Sequence, residues 1–200
     1  MAEDVVVLDK TAQDLLFREA RTANAFTDEP VTDEQVEALY DLVKWAPTSL
    51  NQQPLRVLLV RSPEAREKLA SMMYHNNQEK VANAPLVAVL AADVQFHEHL
   101  DTQYPVFPNV KNVFFGERST RVESAKLNGA LQTAYFILGV RALGLAAGPM
   151  IGFDEDQVNK EFFPDGDRLA LLVVNIGRPS EQPWSDRLPR LAYGQVFTTV

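Results

Sequence analysis

The sequence predicts an α+β or α/β sandwich, in which helices cover both faces of a central sheet. Three short segments are almost wholly apolar, at residues 55–60, 85–92 and 169–176. Continuous apolar runs of this length are typical of strands that are buried on both faces. Residues 119–143 carry apolar side chains widely around a helical period, which favours a central rather than a peripheral helix.

The other helices are indicated by signals at their ends. Thr32 and Gln35 have the spacing of a capping box, so a helix is predicted to begin there and to stop at Pro47. Ser62 is a good N-cap, and the proline after it is tolerated at the first helical position. Two shorter helices are predicted at residues 14–21 and 154–164.

Two segments lack a regular pattern. Residues 96–119 hold five aromatic residues and two prolines without a clear period, which is typical of a functional or mobile loop. The tail, residues 178–200, is rich in proline and arginine and shows little alternation of its own. We expect this tail to be disordered or to lie on another surface, such as a partner subunit.

The composition favours a compact chain and excludes several functions. Its 200 residues suit one domain, spanning residues 1–200. With 19 basic and 27 acidic residues the net charge is −8, which argues against nucleic acid as a partner. The absence of cysteine excludes disulfides, thiolate metal sites and thiol redox chemistry.

A membrane partner is not expected either. The longest apolar run, residues 84–92, is far shorter than the roughly 20 residues that a membrane span needs. The first residues lack the basic and apolar regions of a signal peptide. The sequence therefore predicts a cytoplasmic protein.

The densest group of candidate metal ligands is His97-Glu98-His99. On a strand, the two histidines would share one face and could bind a metal ion. Histidines in an irregular loop are more often solvated, and a metal site needs a third and a fourth ligand. No metal site is therefore predicted.

The segment 46–54 is a more informative candidate. It lies between a predicted helix and a predicted strand, and it carries hydroxyl and amide side chains between two prolines. One interpretation is an ordinary helix-to-strand loop. The other is that Thr48, Ser49 and Asn51 offer hydrogen-bond donors to a flat heterocycle or its ribityl chain.

Residues 45–54 resemble the signature of the FMN-dependent nitroreductases, in which a helix ends in Ala-Pro-Ser and Asn precedes Gln-Pro. Four further motifs of that family occur in the expected order, at residues 20–31, 77–80, 148–153 and 187–189. Each motif is weak alone, but together they span nearly the whole chain. Two motifs, Met150-x-Gly-Phe-Asp154 and Arg187-Leu-Pro-Arg-Leu191, resemble the branch that includes probable malonic semialdehyde reductases.

The resemblance implies a nitroreductase-like sandwich with a central mixed sheet flanked by helices. It also implies a homodimer with both flavin sites at the subunit interface, where residues 47–51 and the tail serve the neighbouring subunit's site. The cofactors implied are noncovalent FMN and NADH or NADPH as hydride donor. The activity implied is ping-pong reduction of a nitroaromatic, a quinone or a small aldehyde acid such as malonic semialdehyde, with no obligatory catalytic side chain.

The chemistry of the motif residues fits that cofactor. Arg21 and Arg187 offer guanidinium groups to a phosphate, and Thr22 can add a hydroxyl donor. Asn77 offers both a donor and an acceptor to the pyrimidine edge of the flavin, and Lys80 offers a cation near its N1–O2 region. The segment Pro149, Met150, Ile151 and Gly152 is assigned to place backbone amides near flavin N5. The loop contributes Pro47, Thr48, Ser49 and Asn51.

Each of these residues also has an ordinary interpretation. Arg21 could simply stabilise a helix C-terminus, and Arg187 could be a solvated tail residue. The sequence also departs from the family pattern at Ala20, Asn24, Ile151 and Leu55. The first two departures remove basic groups that commonly help to hold phosphate, and Arg18 or Arg190 is the candidate replacement.

The irregular segment is the candidate substrate wall. Its aromatic residues Tyr104, Phe107, Phe114 and Phe115 could line a pocket, although aromatic residues in loops are more often simple packing. A carboxylate substrate would need a cation, for which Lys111 and Arg118 are candidates. Two other functions remain open: a flavin-binding carrier or sensor without turnover, and an interaction protein whose acidic surface recruits a basic partner.

Overall fold

The computed structural model describes residues 5–181 and 184–200. Its sheet contains β1 (Leu55–Val60), β2 (Leu86–Asp93), β3 (Ala146–Met150) and β4 (Arg168–Gly177) in the order β1-β2-β4-β3. The expected α+β sandwich is confirmed, and β1 has the bounds that its sequence predicted. The segment that carries β3 was not among the three predicted strands.

The expectation of a mixed sheet does not hold in the described residues. All three strand pairings found there, β1 with β2, β2 with β4 and β3 with β4, are antiparallel. The mixed sheet was implied by the family resemblance, whereas the apolar strands predicted only a sheet that is covered on both faces. Here helices cover both faces of an antiparallel sheet, so its strands need the same apolar composition.

The helices largely follow the signals in the sequence. Gln35 donates its backbone N–H to Thr32 Oγ1 at 3.2 Å, and Thr32 donates its own to Gln35 Oε1 at 3.0 Å, which confirms the capping box. Ser62 Oγ likewise accepts from the Ala65 N–H.

The helices are α1 (Lys10–Gln13), α2 (Asp33–Val43), α3 (Pro63–Ser71), α4 (Asn77–Asn83), α5 (Leu100–Gln103), α6 (Val110–Phe114), α7 (Arg118–Ala142), α8 (Glu155–Phe162) and α9 (Tyr193–Val196).

The first helix begins earlier than its sequence suggested. Asp9 accepts a hydrogen bond from the Ala12 N–H and so caps α1 four residues ahead of the predicted start. The chain then continues as a π-helical turn, Asp14–Arg18. Residues 19–21, which were predicted to be helical, are not helical.

Two apolar layers enclose the sheet. Alternate residues of β2 serve opposite faces, and all eight are buried. Val87 and Val89 pack with Leu69, Val81 and Val158 of α3, α4 and α8. On the other face, the buried residues come mainly from α2, α7 and the strands, and include Leu39, Leu86, Ala88, Leu90, Phe136, Val140 and Val174.

The irregular segment after β2 is more ordered than its sequence suggested. A 3₁₀ turn, Phe96–His99, precedes α5 and α6. Phe96, Leu100 and Phe115 are buried in a third apolar cluster, and the rings of Phe96 and Phe115 meet edge to face at 5.0 Å. Buried aromatic rings hold these short helices together. Because each helix is short, the segment shows no long helical period in its sequence.

The long helix α7 lies centrally, as predicted, and it packs against α2 and all four strands. One stripe of it nevertheless faces outward: Leu127, Leu131 and Tyr135 are 67%, 47% and 42% exposed. Within the described residues, no helix has the length and apolarity needed to cross a bilayer.

The two ends of the chain lie partly outside the described residues, which exclude 1–4 and 182–183. The expected domain, residues 1–200, and the expected tail, residues 178–200, each include some of these positions. From residue 184 onward every residue is exposed, and the tail includes the short helix α9.

Candidate functional site

One cavity brings together the residues assigned to phosphate. It has a volume of about 220 Å³, and its lining includes Arg21, Thr22, Asn24, Arg187 and Arg190. The Arg21 Nε atom is buried and has no hydrogen-bond partner among the described residues. Three arginines, one with an unused buried donor, therefore line this cavity together with one carboxylate, that of Asp186, and the excess of positive charge suits an anion.

Arg187 reaches this cavity from the far end of the chain. Its guanidinium donates hydrogen bonds to the backbone carbonyls of Arg18 and Ala20. Arg190, one of the two candidate replacements for the missing basic groups, also lines the cavity. Arg190 donates to the carbonyls of Leu188 and Pro189. The tail therefore adds two cations to a cavity that the N-terminal segment of the same chain begins, whereas the resemblance had implied that the tail serves the neighbouring subunit's site.

Backbone contacts fix the N-terminal half of this cavity. Ala23 donates its N–H to the carbonyl of Ala147 in β3 at 3.0 Å. A side chain at Gly148 would place its Cβ only 2.5 Å from the Ala23 carbonyl oxygen, so glycine permits this close approach. Phe26 forms a bridge with Pro179 a few residues later. Arg21 and Thr22 are thus held beside the outer edge of β3.

The motif around Asn77 meets the loop that follows β3. Asn77 Nδ2 donates to the Gly152 carbonyl oxygen at 3.2 Å, and the Tyr74 N–H donates to the same oxygen at 2.9 Å. A Cβ atom at Gly152 would lie 2.7 Å from Asn77 Nδ2, so a larger residue there would push the Asn77 amide out of this position. Two motifs that are 75 residues apart in sequence are therefore in direct contact.

A second cavity of about 460 Å³ adjoins the first. It is lined by Phe26, Glu79 and Lys80, together with Asn24, which also lines the phosphate-sized cavity. Lys80 is half-buried, and its backbone carbonyl accepts a hydrogen bond from Asn175 Nδ2 at 2.8 Å. The two cavities therefore adjoin at Asn24.

The remaining residues of the loop after β3 differ in accessibility. Met150 ends the strand with its side chain buried, and Pro149 is half-buried. Ile151 is 78% exposed. The Ile151 side chain therefore points away from the core, beside the Asn77–Gly152 contact.

Residues 47–51 lie apart from these groups. Pro47, Thr48 and Asn51 line a third cavity of about 410 Å³ with Trp45 and Gln103. Among the described residues, none lines both this cavity and either of the other two. A single copy of the chain therefore does not bring Pro47, Thr48, Ser49 and Asn51 to Arg21, Thr22, Lys80 and Arg187.

The loop after α2 has a strained backbone. Leu50, Asn51 and Gln53 have φ values of 49°, 51° and 47°, in the left-handed region that residues other than glycine rarely adopt. Each such residue costs on the order of 1–3 kcal/mol and persists only where its surroundings hold it. The loop is held by Gln52, Ser124 and Asn128, which sequence reasoning missed. An asparagine within a largely apolar helix is a signal that could have identified Asn128.

The candidate substrate wall is only partly available. Phe107 and Phe114 are exposed and pack against each other with ring centroids 5.8 Å apart. Phe115 is buried in the third apolar cluster, so its assignment to the wall is wrong. Tyr104 is half-buried against the same cluster.

The candidate cations for a carboxylate substrate are already engaged. Lys111 pairs with Glu98 at 3.2 Å and with Asp101 at 3.3 Å, and these hydrogen bonds raise the pKa of Lys111. Arg118 donates to the Gly166 carbonyl oxygen at 2.7 Å. A carboxylate would have to displace these partners.

Comparison with known proteins assigns the chain and its fold to one family. The model of the Nitroreductase family matches residues 17–178. The chain belongs to the nitroreductase family. The match covers every predicted motif except the one around Arg187, which lies in the tail beyond it.

Relatives of this nitroreductase align over nearly their whole length. A Streptomyces coelicolor protein named "Putative NADH dehydrogenase/NAD(P)H nitroreductase" is 64% identical over 195 residues, which cover 98% of this chain and 99% of that protein. A Rhodopseudomonas palustris protein of the same name is 46% identical over 180 residues, covering 90% and 91%. The predicted family of NAD(P)H-linked oxidoreductases is confirmed.

Solved structures share the fold at low sequence identity. A crystal structure from Exiguobacterium sibiricum, described as "a putative nitroreductase in complex with FMN", superposes with a TM-score of 0.81. The two chains are 19% identical, and the alignment covers 98% of this chain and 99% of the other. The sandwich is therefore the nitroreductase fold.

The histidine cluster of this nitroreductase lies in the 3₁₀ turn Phe96–His99. Among the described residues, no group of three or more His, Cys, Asp or Glu side chains is arranged to hold a metal ion. His97 is mostly buried, and its Nδ1 atom has no partner in the described part of the chain. Burial, followed by the positive charge of Arg121, lowers the pKa of His97 below its usual 6.5.

We expect His97 to make the fold sensitive to acid. Because its folded-state pKa is lowered, the unfolded chain binds a proton more readily, and the free energy of unfolding falls as the pH drops below about 6.5. His97→Gln should reduce this fall. The measurement is urea denaturation at about pH 7.5 and 5.5, on either side of that value.

His99→Gln is the matched control, because His99 lies two residues away in the same turn and is exposed. The control should retain the pH dependence of the unsubstituted protein. If His97→Gln and the unsubstituted protein lose equal stability on acidification, His97 is not the cause of the acid sensitivity.

Proposed function

We propose that this nitroreductase is a noncovalent FMN-dependent NAD(P)H oxidoreductase. The observation that carries the proposal is the cavity lined by Arg21, Thr22, Arg187 and Arg190, which adjoins, at Asn24, a second cavity lined by Lys80. The unused Arg21 Nε donor and the clustered guanidinium groups fit a phosphate, which carries close to two negative charges. FMN in the related Exiguobacterium sibiricum structure supports the same cofactor here.

Bound FMN would supply hydride-transfer chemistry, with NADH or NADPH as the donor and an electron-poor nitroaromatic, quinone or small aldehyde acid such as malonic semialdehyde as the acceptor. The chain's own residues would bind and orient the flavin. Arg21, Arg187 and Thr22 would hold the phosphate. Asn77, whose amide is oriented by the Gly152 carbonyl, would face the pyrimidine edge.

Lys80 would supply the positive charge beside that edge. A cation near the N1–O2 region of a flavin stabilises negative charge there and so raises the reduction potential. Met150, Ile151 and Gly152, which follow Pro149, would offer their backbone N–H groups to flavin N5, and the exposed Ile151 side chain would face the substrate side. No side chain of this set acts as a proton donor in the proposal.

We propose further that the protein is a homodimer with a flavin site at each end of the interface. α7 carries an outward apolar stripe that a second copy could cover, formed by Leu127, Leu131 and Tyr135. Large apolar side chains of the tail are also exposed, namely Leu188, Leu191, Tyr193, Val196 and Phe197. Packing of the tail on the partner would bury them.

The dimer also explains why the loop residues lie apart from the phosphate group. In this arrangement Pro47, Thr48, Ser49 and Asn51 of one subunit would complete the site that Arg21, Asn77 and Arg187 of the other begin. Trp45, which is 77% exposed beside that loop, would be covered in the same way. Each subunit then holds part of two sites.

The phosphate assignment predicts a difference between FMN and riboflavin. Arg21→Gln and Arg187→Gln should each weaken FMN binding by about 10- to 100-fold, because each removes a charge-assisted hydrogen bond. Riboflavin, which lacks the phosphate, should bind all variants equally. Fluorescence titration of the apoprotein with each flavin measures both affinities.

Arg168→Gln is the control for this test, because Arg168 is exposed at the start of β4 and lies outside the cavity. It should bind FMN normally. An equal loss of riboflavin affinity in the Arg21 and Arg187 variants would contradict the phosphate assignment. An unsubstituted protein that remains colourless after incubation with FMN and desalting would contradict the function.

The alternative is a flavin-binding carrier or sensor without turnover. Anaerobic addition of NADH or NADPH distinguishes the two, because an oxidoreductase should lose its flavin absorbance within seconds to minutes. Steady-state rates with nitrofurazone and with malonic semialdehyde then identify the preferred substrate class. A flavin spectrum that stays unchanged with both nucleotides would favour the carrier.

A further inference from the structure

The strained loop after α2 is held by a buried asparagine of the central helix. Asn128 is 3% exposed and lies near the middle of α7. Its Oδ1 atom accepts a hydrogen bond from the Ser49 N–H at 2.8 Å. Ser49 directly precedes Leu50 and Asn51, the first two residues with left-handed backbone conformations.

The other side of the same amide is also fully engaged. Asn128 Nδ2 donates to the Ser124 carbonyl at 2.9 Å and to Gln52 Oε1 at 3.2 Å. Gln52 is 2% exposed and accepts a second hydrogen bond from Ser124 Oγ at 2.8 Å. The loop is thus attached to α7 both before and after its first left-handed pair.

These contacts leave the loop a single conformation. Rotating Asn128 or Gln52 would leave a buried donor or acceptor without a partner, which is strongly unfavourable inside a protein. The strain of Leu50, Asn51 and Gln53 is therefore balanced by a polar network that only this conformation satisfies. Loops held in this way often present groups to a ligand.

We propose that Asn128 is a positioning residue for the flavin, which acts through Ser49 to fix the loop that carries Thr48, Ser49 and Asn51. The inference rests on the proposed function, since it assigns the loop to the cofactor site of the partner subunit. Asn128 itself lies under the loop and does not line the loop's cavity. Its effect on the cofactor is therefore indirect.

The helix offers a matched control one turn later. Gln132 is 8% exposed, and its Oε1 atom accepts a hydrogen bond from the Leu55 N–H at 2.9 Å. Both side chains are thus buried amides on α7 that accept one backbone N–H. Gln132 supports the start of β1, whereas Asn128 supports the loop.

The experiment compares Asn128→Leu with Gln132→Met in the full-length protein. Both substitutions replace an amide with an apolar side chain of similar size, so both should lower the midpoint of urea denaturation. Only Asn128→Leu should weaken FMN binding, by about tenfold or more, because the displaced loop would lose at least one hydrogen bond to the flavin. Asn128→Leu should also shift the midpoint potential of the bound flavin, whereas Gln132→Met should leave affinity and potential unchanged.

Equal flavin affinities and potentials in the two variants would overturn the positioning role while leaving the proposed function intact. An unsubstituted protein that binds no FMN would contradict the proposed function and overturn the positioning role with it. If Asn128→Leu does not fold, Ser124→Ala replaces it, since it removes a hydroxyl that donates to Gln52 Oε1 at 2.8 Å and accepts from Asn128 Nδ2 at 3.4 Å, while the Asn128 contact to Ser49 remains. Ser124→Ala should weaken FMN binding by a smaller factor, and unchanged affinity there would also overturn the inference.

Discussion

The close approach of Ala23 to β3 is the constraint on which the proposed site depends. β3 is an edge strand, and the Ala23 N–H bonds to its Ala147 carbonyl at a point where Gly148 has no side chain. This contact covers part of the free edge, as edge strands generally require. It also holds Arg21 and Thr22 beside the strand whose far end leads to Gly152. The phosphate-sized cavity and the Asn77 contact are therefore built on the same strand.

The acidity of the chain makes this local arrangement informative. A net charge of −8 would repel an anionic cofactor at long range, so binding must depend on a few cations close to it. Arg21 comes from the N-terminal segment and Arg187 and Arg190 from the tail, and folding brings them to one cavity. The tail completes this cavity through hydrogen bonds to backbone carbonyls of residues 18 and 20.

Local signals in the sequence predicted much of the fold but only part of the site. The capping box at Thr32 and the strand β1 were predictable because each depends on neighbouring residues. The short helices around Phe96 and Phe115 were not, since contacts between distant aromatic rings stabilise them. The hydrogen bond between Ser49 and Asn128 joins residues 79 apart, and no local pattern encodes such a pair. Family motifs selected the residues of the phosphate cavity, whereas the separation of the loop from that cavity became visible only in the fold.

The central claim is that each flavin site is shared between two copies of the chain. Co-expression of Arg21→Gln/Arg187→Gln with Thr48→Ala/Ser49→Ala/Asn51→Ala, carrying different affinity tags, gives heterodimers that can be purified by both tags. In each heterodimer one site combines both defects and the other has neither, so about one tightly bound FMN per dimer is expected. Each variant alone should bind almost none. Heterodimers that bind no more FMN than either parent would contradict the shared site.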